Sequence, residues 1–337
     1  MGQDKNEVSE KAVKVSILVA VYNAESSIGK CLDSLTAQTL KDIQVICIDD
    51  GSTDKSPSIL DEYAKRDNRI NVIHLKENQG LAHARNIGLN IAIGEYTCML
   101  DSDDWFAPDA LEKAVEVFEK HPFTDCVLFK FILVFPDREE TFKMPDFEVL
   151  NGQEAFSLSL GWRIHGVYMV RTEIHKKHPY DETCHLYSDE NTTHIHYSMS
   201  REVRVCDGIY YYLQHEKSAT HSISVRKFDK MKADYSLRTQ MTRLGMPKRT
   251  IDMYENQRWL NIVNTYMFYH CHGKELVQKE RIYGLEEMKR AWKSIDRKAL
   301  DTKTTRKFGY MPMPVWSLFR LQEWAYFTLR GLLGRNK

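Results

Sequence analysis

The sequence predicts an α/β fold: a mostly parallel sheet flanked by helices, followed by a helical C-terminal extension. Three observations lead there. Apolar runs of strand length alternate with stretches of helical spacing through the first half of the chain, and that order builds parallel sheets with helices on both faces. Two of those runs end in carboxylates, Asp49-Asp50 and Asp101-Ser102-Asp103-Asp104. From about residue 225 onward the pattern is helical alone.

The elements follow in order. Residues 15–21 are almost entirely apolar, as a strand covered on both faces should be. Ile28, Leu32 and Leu35 share one helical face within 26–38. Residues 43–48 form a second buried strand. A helix is expected over 54–66, with Ser52 or Thr53 able to cap it, and Val72 to Leu75 read as a third strand. Leu81, Ala84, Ile87 and Ile91 mark the next helix, before a strand at 96–100. Pro108 suits the first turn of a helix whose inner face is Leu111, Val115 and Phe118. The run from Cys126 to Phe135 is rich in β-formers and too short for the ~18 residues of a membrane span. Residues 136–151 are polar and irregular. Beyond them come a helix near 152–160, a strand near 167–170, a helix near 190–199 and strands near 203–206 and 209–213. The helical region breaks at Gly245-Met246-Pro247 and at Met311 to Pro314.

The chain of 337 residues is formally neutral, but residues 223–337 hold 24 Lys and Arg against 11 Asp and Glu, and residues 1–222 hold 23 against 36. A basic C-terminal part facing phosphates or lipid headgroups accounts for this split, and so does attraction between the two halves. Seven scattered cysteines with no CxxC read as buried free thiols in a reducing compartment. Residues 1–14 are polar, with no apolar signal-peptide core. His194 and His196, two apart on a helix, diverge. His270-Cys271-His272 lacks a partner at zinc-site spacing. Both sets read as structural.

In open α/β sheets, ligands bind outside the carboxyl ends of the strands. A carboxylate in Asp49-Asp50-Gly51-Ser52 can accept from a uracil imide or from ribose hydroxyls; its plainer reading is a strand-end turn. In the 101–104 cluster, carboxylate oxygens suit Mg²⁺ or Mn²⁺, and such a cation can hold a diphosphate. A solvated helix-capping loop is the plainer reading there. No GxGxxG or P-loop occurs, which argues against nicotinamide cofactors and nucleoside triphosphate hydrolysis.

The ordered combination is more specific than its parts. Val-Ala-Val-Tyr-Asn (19–23), Asp49-Asp50-Gly51-Ser52, Asn78-Gln79-Gly80-Leu81, Ala84-Arg85-Asn86-Ile87-Gly88, Gly94-Glu95-Tyr96 and Leu100 to Asp104 occur in that order. Together they resemble the family 2 glycosyltransferases, inverting enzymes of the Rossmann-like GT-A fold, over about residues 14–222. The resemblance implies a catalytic domain at 14–222, after a polar extension at 1–13 and before a basic helical region at 223–337. It implies that Ala20, Tyr22 and Asp50 hold the uridine, with Arg85 shaping the donor pocket or pinning its helix to the acidic loop. It places Asp101 near ribose and metal, and makes Asp103 the ligand of a divalent Mn or Mg. Ala20 stands where many members have Pro or Thr.

Tyr187-Ser188-Asp189-Glu190 resembles the family motif that opens a helix below the acceptor. Asp189 aligns with the catalytic base, Ser188 replaces the usual Glu, and Glu190 is the fallback. His215, in the segment after the last core strand, matches a histidine able to reach metal or diphosphate. The implied reaction moves a hexose or N-acetylhexosamine from a UDP-sugar to a glycan or lipid-linked hydroxyl with inversion, in surface polysaccharide synthesis. No nucleic-acid partner is expected.

Residues 315–333 form an aromatic-rich amphipathic helix, with Ser317, Arg320, Glu323, Thr328 and Arg330 clustered on one side. Such a helix in a basic segment suits a membrane interface, which would place the protein in the cytoplasm at the inner face of the cell membrane. Docking onto the catalytic domain is the alternative. Two other functions remain open at this level: a sugar nucleotidyltransferase, whose Gly-rich basic loop after the first strand is missing from residues 22–26, and a non-catalytic UDP- or glycan-binding module.

Overall fold

A computed structural model describes residues 12–183, 186–214 and 223–335. Ten strands form one sheet: β1 (Val15–Val21), β2 (Ile43–Asp49), β3 (Ile70–His74), β4 (Tyr96–Met99), β5 (Trp105–Phe106), β6 (Thr124–Val134), β7 (Glu139–Thr141), β8 (Leu150–Asn151), β9 (Tyr168–Arg171) and β10 (Glu202–Leu213). The helices of the first half are α1 (Ile28–Thr36), α2 (Ser56–Arg66), α3 (Leu81–Ile91), α4 (Ala110–Lys120), α5 (Gly152–Leu160), α6 (Thr172–Lys177) and α7 (Ser188–Met199). Those that follow are α8 (Asp229–Arg243), α9 (Lys248–His272), α10 (Gln278–Ser294), α11 (Thr302–Thr305) and α12 (Trp316–Leu332).

The chain divides into two compact units. The first holds residues up to Gly152, 165–179 and 199–214, and carries the sheet in the order β3-β2-β1-β4-β9-β6-β10-β5. The four strands β3, β2, β1 and β4 are parallel, with apolar side chains buried on both faces of β1 and β2. β9 then enters antiparallel to both β4 and β6, so the sheet is mixed beyond β4. The two expected strands near 203–206 and 209–213 are one strand, β10, whose pairing with β6 shifts register between Val205 and Ile209. Buried Asp125 fastens this region: its carboxylate accepts from Arg171 Nε at 3.1 Å and Arg201 Nη2 at 2.6 Å, and both guanidinium groups hold it below the usual carboxylate range against its burial. Of the cysteines, Cys31, Cys47, Cys98, Cys126 and Cys206 are buried free thiols and Cys271 is an exposed one, while Cys184 lies outside the described residues.

The second unit holds 153–164, 180–198 and the chain beyond Gln214. It therefore takes in two segments from within the span 14–222 expected to form one domain. The reason is a set of buried polar contacts. Asp181 accepts from Asn191 Nδ2 at 2.7 Å and Gln240 Nε2 at 3.1 Å, and Asn191 also donates to the Ala233 carbonyl. These bonds tie α7 to α8. His194 is buried against Ser159, its Nδ1 at 2.8 Å from the hydroxyl, and burial lowers its pKa to about 3, as a structural histidine should behave.

In α12, Phe319 and Phe327 are buried in the helical core with Trp259 and Tyr266. Glu323, expected on the polar side, is fully buried beside Gln322; helical periodicity alone does not distinguish a polar residue facing water from one packed inside. Its Oε1 accepts from Gln322 Nε2 at 3.0 Å, and Oε2 has no hydrogen-bond partner among the described residues. Burial pushes its pKa up to about 8. The folded state thus keeps the proton while the unfolded chain releases it above its ordinary pKa, so stability is full below that value and falls as pH rises towards 8. Glu323→Gln removes the dependence. Thermal melts at pH 5 and pH 9 are expected to coincide far more closely for the variant, which gains on the order of 3 kcal/mol at the alkaline end. An unchanged pH dependence would refute this account.

Candidate active site

The strand register brings the predicted donor residues to one edge. β1 pairs with β2 on one side and β4 on the other, with Val21 opposite Asp49 and Leu18 opposite Met99. Asp50 and Asp101 therefore leave the sheet on either side of the end of β1, roughly 10 Å apart at two inter-strand spacings. Half-buried Ala20 lies between them, and Tyr22 is 51% exposed just beyond.

The loops at this edge are laced together. Asn23, at φ 51°, accepts from Thr53 N through Oδ1 at 2.8 Å and donates its own N–H to Ser52 Oγ at 3.0 Å. Gly51 turns the chain at φ 71°, and a Cβ there would lie 2.6 Å from the Glu77 carbonyl carbon, so only glycine fits. Asp49 accepts from Ser52 N and pairs with His74 Nδ1 at 2.8 Å, which raises the His74 pKa. Asp50 is buried, and its two oxygens accept from Gln79 N at 2.8 Å and Gly80 N at 2.9 Å. It fixes the 78–80 turn, while a carboxylate oxygen can accept more than one bond.

Arg85, on α3, is 2% exposed and donates through Nη2 to Asp101 Oδ1 at 2.5 Å. The arginine thus pins its helix to the acidic loop, and in doing so orients Asp101. Asp104 is fully buried: Oδ2 accepts from the Tyr210 hydroxyl at 2.6 Å and Oδ1 from Leu213 N at 2.8 Å. Burial, with the nearby Asp101 charge, pushes its pKa up to about 9. Tyr210 also accepts from Asp101 N at 3.3 Å, so a single hydroxyl from β10 joins both ends of the loop. Nothing in the sequence marked Tyr210, because its role depends on β10 being brought beside β5 and β6.

Among the described residues, no three His, Cys, Asp or Glu side chains gather as a metal cage. The oxygen donors present are Asp103, half-buried on the loop, and Asp101, 36% exposed at its side chain. That set fits a magnesium-like ion, which takes one or two carboxylates and fills its shell with substrate phosphates and water. His215 lies outside the described residues.

In the second unit, Ser188, Asp189 and Glu190 open α7. Glu190 is ion-paired with Lys230, which also lies 3.4 Å from Asp234. Asp189 is half-buried and makes no hydrogen bond or ion pair among the described residues.

The sheet order, the loops at its carboxyl edge and the helical region define a GT-A fold. The description Glycosyl transferase family 2 matches residues 16–192. The chain belongs to that family. It is 47% identical over 127 residues to the putative glycosyltransferase EpsH of Bacillus subtilis (strain 168), covering 38% of this chain and 36% of that protein. It is 32% identical over 222 residues to the uncharacterized glycosyltransferase EpsJ of the same organism, covering 61% and 62%. A poly(ribitol-phosphate) beta-glucosyltransferase of Bacillus spizizenii (strain ATCC 23059 / NRRL B-14472 / W23) is 42% identical over 121 residues, covering 35% and 19%. The chain thus spans from a fifth to under two thirds of these relatives. Among solved structures, S. aureus TarS 1-349 in complex with UDP-GlcNAc superposes with TM-score 0.76 at 18% identity, covering 96% of this chain and 92% of that one, a likeness of fold.

Proposed function

We propose that the protein transfers a hexose or N-acetylhexosamine from a UDP-sugar to a hydroxyl of a glycan or lipid-linked acceptor, with inversion, in surface polysaccharide synthesis. The observation that carries this reading is the placement of Asp50 and Asp101 on either side of the end of β1. In this reading Tyr22 packs on the uracil, Asp50 and the loop it fixes bind the base, and Asp101, held by Arg85, faces the ribose. Asp103, with Asp101, would hold Mn²⁺ or Mg²⁺, which when bound neutralises charge on the departing diphosphate. Asp189 takes the proton of the attacking hydroxyl. At a helix N-terminus a carboxylate is stabilised as an anion, so its effect comes from position more than from high basicity. The solved TarS complexes with UDP and with UDP-GlcNAc support the choice of donor class.

The test is a panel of nucleotide-sugars incubated with Mn²⁺ and acceptor-bearing membranes, reading free UDP. UDP release with one UDP-sugar, dependent on the membranes, is expected. Pyrophosphate release from UTP and a sugar phosphate would select a nucleotidyltransferase instead, and binding without turnover a non-catalytic module.

The same reading places the protein at the inner face of the cell membrane. No helix of the described residues is long and apolar enough to cross one. α12 packs through Phe319 and Phe327, yet Leu318, Leu321, Trp324 and Leu332 on its other side are exposed, with Arg320 and Arg335 nearby. An apolar stripe beside arginines suits an anionic bilayer surface. Leu321→Glu with Trp324→Glu is expected to move the protein from membrane pellet to supernatant without lowering its melting temperature. Unchanged partitioning would remove the membrane assignment.

A further inference from the structure

Within the first unit, His74 ends β3 beside the donor edge. Its imidazole stands between two carboxylates. Nδ1 lies 2.8 Å from Asp49 Oδ2 at the end of β2, and Nε2 lies 3.2 Å from Asp61 Oδ1 on α2. A neutral imidazole carries one N–H, whereas an ionised carboxylate only accepts, so both contacts are hydrogen bonds only when the ring is an imidazolium. Asp49 is 2% exposed, and no Lys or Arg pairs with it among the described residues, which makes His74 its counter-charge. The titratable groups that face the ring are thus Asp49 from β2 and Asp61 from α2. The other oxygen of Asp49 accepts from Ser52 N at 3.0 Å, and Ser52 Oγ accepts from Asn23 N at 3.0 Å. A chain of bonds therefore runs from α2 through His74, Asp49 and Ser52 to the residue that follows Tyr22.

We propose that His74 is a positioning residue for the nucleoside: its imidazolium holds Asp49, Asp49 holds the 50–53 turn and with it Asn23, and uridine affinity follows the charge on the ring. The inference rests on the reading of Tyr22 and Asp50 as uridine-binding residues, and it requires no contact between His74 and the ligand. When the ring loses its proton, the one N–H that remains serves either Asp49 or Asp61, and in both cases the buried carboxylate keeps no counter-charge. A buried charge whose partner is removed is costly. Asp49 relieves that cost by turning toward water, which releases Ser52 N and loosens the turn next to Tyr22 and Asp50. The bond to Asp49 above all, with Asp61 adding to it, raises the His74 pKa against partial burial. A histidine raised in this way stabilises below its ordinary value of about 6.5 and stops doing so as pH rises through the raised one. Tight binding therefore belongs to the acid side.

The test titrates the full chain with uridine, which brings no phosphate and needs no metal, between about pH 5.5 and pH 8.5, reading dissociation constants by ligand-observed NMR. Affinity is expected to fall about fivefold or more across that range, with a midpoint above about 6.5. His74→Gln, which carries no titrating proton, should bind at the alkaline level throughout. Asp61→Asn, at an exposed position on α2, removes one of the two carboxylates that favour the imidazolium. It should move the midpoint to lower pH without weakening binding at the acid end, a shift that a merely structural histidine would not show. A surviving fall in His74→Gln, or an unmoved midpoint in Asp61→Asn, would overturn the clamp. If the unaltered chain binds uridine equally at every pH, the clamp falls and the donor reading stands. If it binds uridine at no pH, the donor reading falls and takes the clamp with it.

Discussion

Replacing Asp189 by Asn is expected to lower transfer by about a thousandfold, within the usual range for loss of a general base, while leaving UDP affinity unchanged. The substitution keeps size and shape and removes only the capacity to take a proton. Asp189 has no hydrogen bond or ion pair among the described residues to lose, so the helix start should survive. Its neighbour cannot readily take over, since Glu190 is held by Lys230. Steady-state kcat with acceptor membranes and calorimetric titration with UDP, run on the same preparation, check both halves. A variant with full kcat would move the base elsewhere; one that loses UDP as well would show a role in the donor site.

Asp103→Ala is expected to weaken metal-supported UDP binding by about 100-fold, the equivalent of losing one charged ligand interaction of roughly 3 kcal/mol. The neighbouring carboxylates leave little reserve. Asp104 has both oxygens taken up by Tyr210 and Leu213, and Asp101 gives one oxygen to Arg85. UDP titrations with and without Mn²⁺ measure the effect. If the variant keeps the full difference between the two conditions, Asp103 is not the ligand. The pair of variants separates the two halves of the proposed reaction, since one should lose the donor and the other only the chemistry.

The parallel half of the sheet was legible because strands buried on both faces read as unbroken apolar runs, as in residues 15–21 and 43–49. The ends of those runs marked the carboxyl edge at which Asp50 and Asp101 lie on either side of β1. β10 read as two strands because Asp207 and Gly208 interrupt its apolar pattern; in the structure its pairing with β6 shifts register there, and Gly208 packs against the α4 backbone. The grouping of 153–164 and 180–198 with the helices was not legible. Residues 180–198 are tied to α8 through buried Asp181 and Asn191, and 153–164 are tied through Ser159 to His194 and through Gln153 to Thr250; a charged or amide side chain carries no sequence mark that it faces inward. α9 hides Glu255 and Arg258 in the same way, each pairing with the other below the surface. Arg85 left two roles open, and its bond to Asp101 depends on α3 packing beside the end of β4, which spacing along the chain does not encode.

The Asp181 clasp has a practical consequence for swapping specificity between relatives. A chimera cut once, near residue 222, would separate Asn191 from Ala233 and Asp181 from Gln240, stranding polar groups in the interior of the grafted half. Recombination that respects the architecture must exchange 153–164, 180–198 and the C-terminal helices as a set, through five crossovers instead of one.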